Sequence, residues 1–104
     1  MERLYVLAFD KIIIKQLKKV DQQIKNILSK MFDKLELAGP NAGELLDSKF
    51  HIYEIKNKHP PIRLYFKHNI MTNEIYIFEF EMKTSPEKQQ ATIEKIKTKS
   101  LNPS

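Results

Sequence analysis

Three segments in the second half of the chain constrain the fold most: FHIYEIK at 50–56, IRLYFKH at 62–68 and EIYIFEFEMK at 74–83. All are rich in β-branched and aromatic residues, and only NKHPP and NIMTN separate them. Connectors this short cannot hold the crossover that parallel neighbours need, so the three are expected to be antiparallel. Side chains alternate along a strand, which divides each segment into two faces by parity. Tyr53, Ile55, Ile62, Leu64, Phe66, Tyr76, Phe78, Phe80 and Met82 form an apolar set ready to meet helices. The opposite set holds Glu54, Lys56, Arg63, Tyr65, Lys67, Glu79, Glu81 and Lys83, preceded on the same parity by Ile52, Ile75 and Ile77.

Helices to cover that apolar set are written on either side of it. RLYVLAF at 3–9 reads as a first strand, and beyond it apolar residues recur at Ile13, Leu17, Val20, Ile24, Ile27, Leu28, Met31 and Leu35. That three-and-four spacing lines one helical face. Asp21 can cap a second helix inside the run, so a helical hairpin and one long helix are both open. Residues 37–49, with both glycines and a proline, are expected to be a loop. After the third segment, Ser85 and Pro86 suit the start of a last helix. Its apolar face is thin, Ala91, Ile93 and Ile96, so it is expected to dock weakly and to move.

A chain of 104 residues suits one domain, 1–104, able to bury roughly 60–68% of its unfolded surface. The absence of cysteine excludes a disulfide scaffold and any thiolate site. MERLYVLAFDK is too short and too interrupted for a signal peptide or a membrane span, which leads to the expectation of a cytoplasmic protein. The net charge is +5, and residues 11–34 account for it with seven lysines against two aspartates. Such a local excess suits a polyanionic or acidic partner, although a solvated helix face would look the same. An antiparallel sheet with one wet face would likewise show the polar alternation, with Glu–Lys and Glu–Arg pairs contributing about 0.2–1 kcal/mol each. The arginine fork, the phenol and the lysines beside carboxylates nonetheless match what binding and cleaving a phosphodiester requires. Three glutamates on the same face would repel a phosphate unless paired.

Taken in order, LYVLAFDKIIIKQLKKVDQQIKNILSKM, IYEIK, IRLYF, IYIFEFEMKTSPEKQ and the basic final helix resemble the RelE and HigB superfamily of toxins, in its Gp49-like branch. The resemblance implies an α+β fold: an N-terminal strand and helical hairpin packed on a mostly antiparallel, four-stranded twisted sheet, with a C-terminal helix. It also implies the toxin of a type II toxin–antitoxin module that cuts messenger RNA on the ribosome without metal or other cofactor. There the 2′-hydroxyl attacks the adjacent phosphate and leaves a 2′,3′-cyclic phosphate. On this resemblance Arg63 is the charge stabiliser, Lys56 binds phosphate or lowers the 2′-hydroxyl pKa, and Lys83 is a phosphate clamp or proton donor. Glu79 is a candidate base, as are Glu54, Glu81 and Glu44. Tyr65 is a stacking platform, and Lys67, Glu81 and Lys88 complete the substrate-binding set.

No strong general acid stands where many relatives place a histidine or tyrosine, and His51, His59 and His68 are expected at the surface. The expected partners are a cognate antitoxin, the ribosome and mRNA, with no membrane and no small-molecule ligand. A ParE-like inhibitor of DNA gyrase, or a relative that only binds a partner, is the alternative.

Overall fold

The computed structural model describes residues 5–82 and 85–101. Its order is β1 (Val6–Phe9), α1 (Lys11–Lys19), α2 (Gln22–Ala38), a 3-10 turn (Gly39–Ala42), β2 (Glu44–Asp47), β3 (Ile52–Asn57), β4 (Ile62–Asn69), β5 (Glu74–Met82) and α3 (Pro86–Leu101). The strands form a five-stranded sheet in the order β1-β5-β4-β3-β2. β1 runs parallel to β5, and every other neighbouring pair is antiparallel.

Aspartate caps settle the helical run as a hairpin. Val20 is extended, which stops α1, and the Asp21 carboxylate then accepts from the Ile24 N–H at 2.9 Å to start α2. Asp10 does the same for α1 through the Ile12 N–H. Such a cap satisfies one of the amides that a helix start leaves without an internal partner. α2 ends at Gly39, whose φ of +56° suits glycine and whose missing side chain leaves room for the Tyr5 ring.

The sheet has one strand more than the four expected. Glu44–Asp47, read as loop, pairs with β3 across an irregular register, Leu45 opposite Tyr53 and Asp47 opposite Ile52. Four residues with one shift in pairing carry no alternation to detect. Gly43 lets this edge strand approach closely, because a side chain there would collide with the Glu54 carbonyl.

A second correction concerns the two faces. Tyr65 pairs with Glu79 but Phe66 pairs with Ile77, so Phe78 is an extra residue in β5. This β-bulge reverses the parity of everything before it. Ile75 and Ile77, expected on the polar face, enter the main core with Leu64, Phe66 and Phe80, against Ile13, Leu28, Met31 and Leu35 of the hairpin. Tyr76 and Phe78, expected in that core, pass to the opposite face.

There they join Ile52 and Tyr65 in a second, smaller core completed by Ile93 and Ile96 of α3. The last helix is therefore packed on the face expected to be open, with Ile96 fully buried, while Ala91 is exposed. Burying an isoleucine contributes about 1.5–3 kcal/mol, so Ile93 and Ile96 anchor α3 on this face.

Candidate functional site

Pairing places the polar residues of β3, β4 and β5 in two rows. Lys56 lies opposite Arg63 and Arg63 opposite Glu81; in the next row Glu54 lies opposite Tyr65 and Tyr65 opposite Glu79. Opposed residues on one face are close enough to touch. α3 crosses over these rows, and its inward polar residues meet them.

Each of the three glutamates has a partner. Arg63 Nη1 donates to Glu54 Oε1 at 2.7 Å, and Gln89 of α3 donates to the same oxygen at 3.1 Å. Lys56 Nζ stands 3.8 Å from Glu54 and also 3.8 Å from Glu44. The Tyr65 hydroxyl and the Thr92 hydroxyl each donate to one oxygen of Glu81, both at 2.7 Å. Lys95 Nζ lies 2.8 Å from Glu79 Oε1, while Glu79 Oε2 is buried with no hydrogen-bond partner among the described residues. The repulsion that three carboxylates would exert on a phosphate is thus offset mainly by α3 and by Arg63.

Two levels of exposure divide the predicted site. Arg63 and Lys56 keep 31% and 44% of their side chains exposed, whereas Glu54 keeps 3%. The guanidinium therefore sits at the open margin, its orientation fixed from beneath by a buried carboxylate. One of its five donors is engaged with Glu54, and a planar fork of this kind suits a phosphate. Under α3 the reading changes. Tyr65 is fully buried, so the expectation of a stacking platform is corrected: the ring has no open side. Burial, then the hydrogen bond to Glu81, push its phenol well above the ordinary range, and it acts as a neutral donor. Glu81 is 9% exposed with both oxygens occupied, which corrects its substrate-binding role. Glu79, 4% exposed, reaches no substrate while Lys95 and α3 lie over it.

Other expected members are apart from this group. Lys83 lies outside the described residues. Lys88 is exposed in the first turn of α3, and Lys67 lines a separate cleft with Asp10, Tyr76 and Lys99. In that cleft Asp10 accepts from Tyr76 at 2.9 Å and from Lys99 at 3.4 Å. Burial and this hydrogen bond push the Tyr76 phenol up to about 12. Among the described residues no three of His, Asp and Glu converge as metal ligands would, and no helix is long and apolar enough to cross a membrane.

Gln89 stands in the sequence only as a residue where relatives place a histidine or tyrosine, and Thr92 and Lys95 carry no apolar signal that would single them out. With Ile93 and Ile96 they follow three-and-four spacing, and that stripe was the available signal.

No protein-family model matches the sequence, and comparison with curated proteins finds no relative. Solved structures do match. A doubly substituted RelE toxin from E. coli in the free state superposes with a TM-score of 0.70 at 18% identity, over 88% of this chain and 97% of that one. The toxin–antitoxin complex RelBE from Mycobacterium tuberculosis gives 0.65 at 14%, over 78% and 93%. An archaeal RelE–RelB complex from Pyrococcus horikoshii gives 0.52 at 15%, over 75% and 93%. The likeness extends from bacteria to archaea and spans most of each chain, so this protein has the RelE fold.

Proposed function

We propose that the chain is the toxin of a type II toxin–antitoxin pair, of the Gp49-like branch, and acts as an endonuclease on mRNA in the ribosome. The observation that carries this reading is the Arg63 guanidinium held on buried Glu54 at 2.7 Å beside Lys56, at the open margin of the sheet. In the reaction the 2′-hydroxyl loses its proton and attacks the neighbouring phosphate. The P–O5′ bond breaks, the leaving oxygen takes a proton, and a 2′,3′-cyclic phosphate remains. Arg63 neutralises the charge that grows on the phosphorane, and Lys56 binds a non-bridging oxygen. Glu54 is buried and engaged by Arg63, so the exposed carboxylate at this margin is Glu44, 3.8 Å from Lys56, and it is the candidate base there. Glu79 can serve only with α3 displaced, and Lys83 remains a candidate phosphate clamp or proton donor.

Several solved structures of this fold are toxin–antitoxin complexes, RelBE and RelE–RelB among them. By analogy the partner of this chain is a cognate antitoxin, and the seven exposed lysines of α1 and α2 suit an acidic segment of it. The protein is expected to work in the cytoplasm.

Induction followed by primer extension on translating messages tests the reading. Codon-phased cuts are expected, lowered about 10²–10³-fold by Arg63→Ala. Arg63→Lys should restore only part of the activity, because it keeps a cation for Glu54 and loses the fork. The burial of Glu79 and Glu81 favours a second reading, a gyrase-binding protein that cuts nothing. Intact messages together with DNA-damage signalling would select it.

A further inference from the structure

Lys67 shares its strand face with Arg63 but not its surroundings. It opens onto a cleft of about 890 Å³ at the opposite end of α3, bounded by the start of α1, the ends of β4 and α3, and the first half of β5. Lys11 and Lys15 line the same cleft; they stand one helical turn apart, so their ammonium groups project from one side of α1.

Among the described residues none of these three lysines has an ion-pair partner, although two carboxylates, Asp10 and Glu74, also line the cleft. Asp10 is fully engaged: Oδ1 accepts from the Ile12 amide and from Lys99, and Oδ2 from Tyr76. That leaves three cations against Glu74. Like charges at this helical spacing are mutually unfavourable, and an anion in the cleft would relieve them.

The floor is aromatic. Tyr76 is held at its hydroxyl by Asp10, and its ring meets Phe78 edge-on at 5.1 Å. A partly buried, oriented tyrosine at the wall of a cleft, beside a group of lysines, is a combination suited to a nucleotide, the cations taking the phosphate and the ring the base.

We propose that this cleft is a second nucleotide-binding site, in which Lys11, Lys15 and Lys67 hold a phosphate and Tyr76 stacks on the adjoining base. The choice of RNA as the source of that nucleotide rests on the function proposed above; a free mononucleotide offers the same chemistry.

The test is fluorescence anisotropy on the full chain with a labelled 2′-O-methyl RNA octamer, which binds but has no 2′-hydroxyl to attack. Replacing Lys11, Lys15 and Lys67 together by glutamine should weaken binding about tenfold or more and flatten the log–log salt slope by about 2. Tyr76→Leu should weaken it about tenfold, whereas Tyr76→Phe, which keeps the ring, should bind as wild type does. Affinity within twofold of wild type in the triple variant overturns the proposal. So does a loss in the triple variant with none in Tyr76→Leu, since the cleft would then be only a basic surface. Adenosine monophosphate that displaces the octamer identifies the free nucleotide as a ligand; octamer binding untouched by it assigns the site to a nucleotide within a strand.

Failure here is separable from failure of the proposed function. A protein that cuts messages normally while the triple variant binds like wild type loses only the cleft; one that cuts nothing yet loses binding in that variant keeps it.

Discussion

The two faces of the sheet are covered by helices in different ways. On one face α1 and α2 bury Leu64, Phe66, Ile75, Ile77 and Phe80 against Ile13, Leu28, Met31 and Leu35, without a carboxylate among them. On the other, α3 contributes Ile93 and Ile96, and much of its remaining attachment is polar: Gln89 to Glu54, Thr92 to Glu81, Lys95 to Glu79, Lys97 to Asp47 and Lys99 to Asp10. Apolar burial is indifferent to pH and salt over the ordinary range. Carboxylate pairs are not, and each buried one left without its partner becomes a cost. The hairpin face should therefore decide whether the protein folds, and the α3 face whether the polar site is covered.

The largest effect should come from the hairpin face. Phe66 is fully buried and stacks on Tyr53 at 5.3 Å. Phe66→Ala should cost about 3–5 kcal/mol in urea unfolding, as one cooperative loss. Ile96→Ala opens an equally complete burial on the other face, worth about 2–4 kcal/mol. It should behave differently: hydrogen exchange should show α3 amides losing protection while those of β4 keep theirs. Equal loss in both elements would mean that the faces form one cooperative unit and would break the contrast.

Tyr65→Phe is smaller and sharper. It keeps the ring but removes the hydroxyl that donates to Glu81 at 2.7 Å, leaving a buried carboxylate oxygen short of a donor. A loss of about 1–3 kcal/mol is expected, and Glu81→Gln in the same background should recover part of it.

This contrast was only half legible in the sequence. The hairpin face was, because Ile13, Ile24, Leu28, Met31 and Leu35 keep helical spacing and Leu64 and Phe66 alternate. Three of the five strands are legible within a residue or two, 50–56, 62–68 and 74–83 against Ile52–Asn57, Ile62–Asn69 and Glu74–Met82. The α3 face was hidden for two reasons. IYIFEF opens with four successive apolar residues, so nothing marks Phe78 as the bulge that carries Tyr76 and Phe78 across the sheet. And a helix that binds a sheet through glutamine, threonine and lysine looks solvent-facing when only apolar residues are counted. The cation pair Lys56 and Arg63 was legible from parity alone, since it lies beyond the bulge, where the alternation holds.

The smallest effect tests where α3 ends. The Asp10 carboxyl is held below its ordinary value of 3.8: burial works to raise it, and is outweighed by the Ile12 amide, the Tyr76 hydroxyl and Lys99. A depressed carboxyl contributes stability that is fully present above its unfolded pKa and is lost as pH falls through the folded one. Asparagine caps a helix about as well as aspartate, so Asp10→Asn should keep α1 and remove mainly the charge that Lys99 and Tyr76 meet. Wild type should then exceed the variant by about 0.2–1 kcal/mol at neutral pH, as expected for a partly exposed pair. Below about pH 4 that margin should shrink toward nothing, because protonation does to the wild type what the substitution does to the variant. Urea midpoints for both proteins at pH 3 and pH 7 measure it. A margin that stays constant across that interval would show that Asp10 acts through its cap alone, and that the far end of α3 is held by Ile96 and not by its charge.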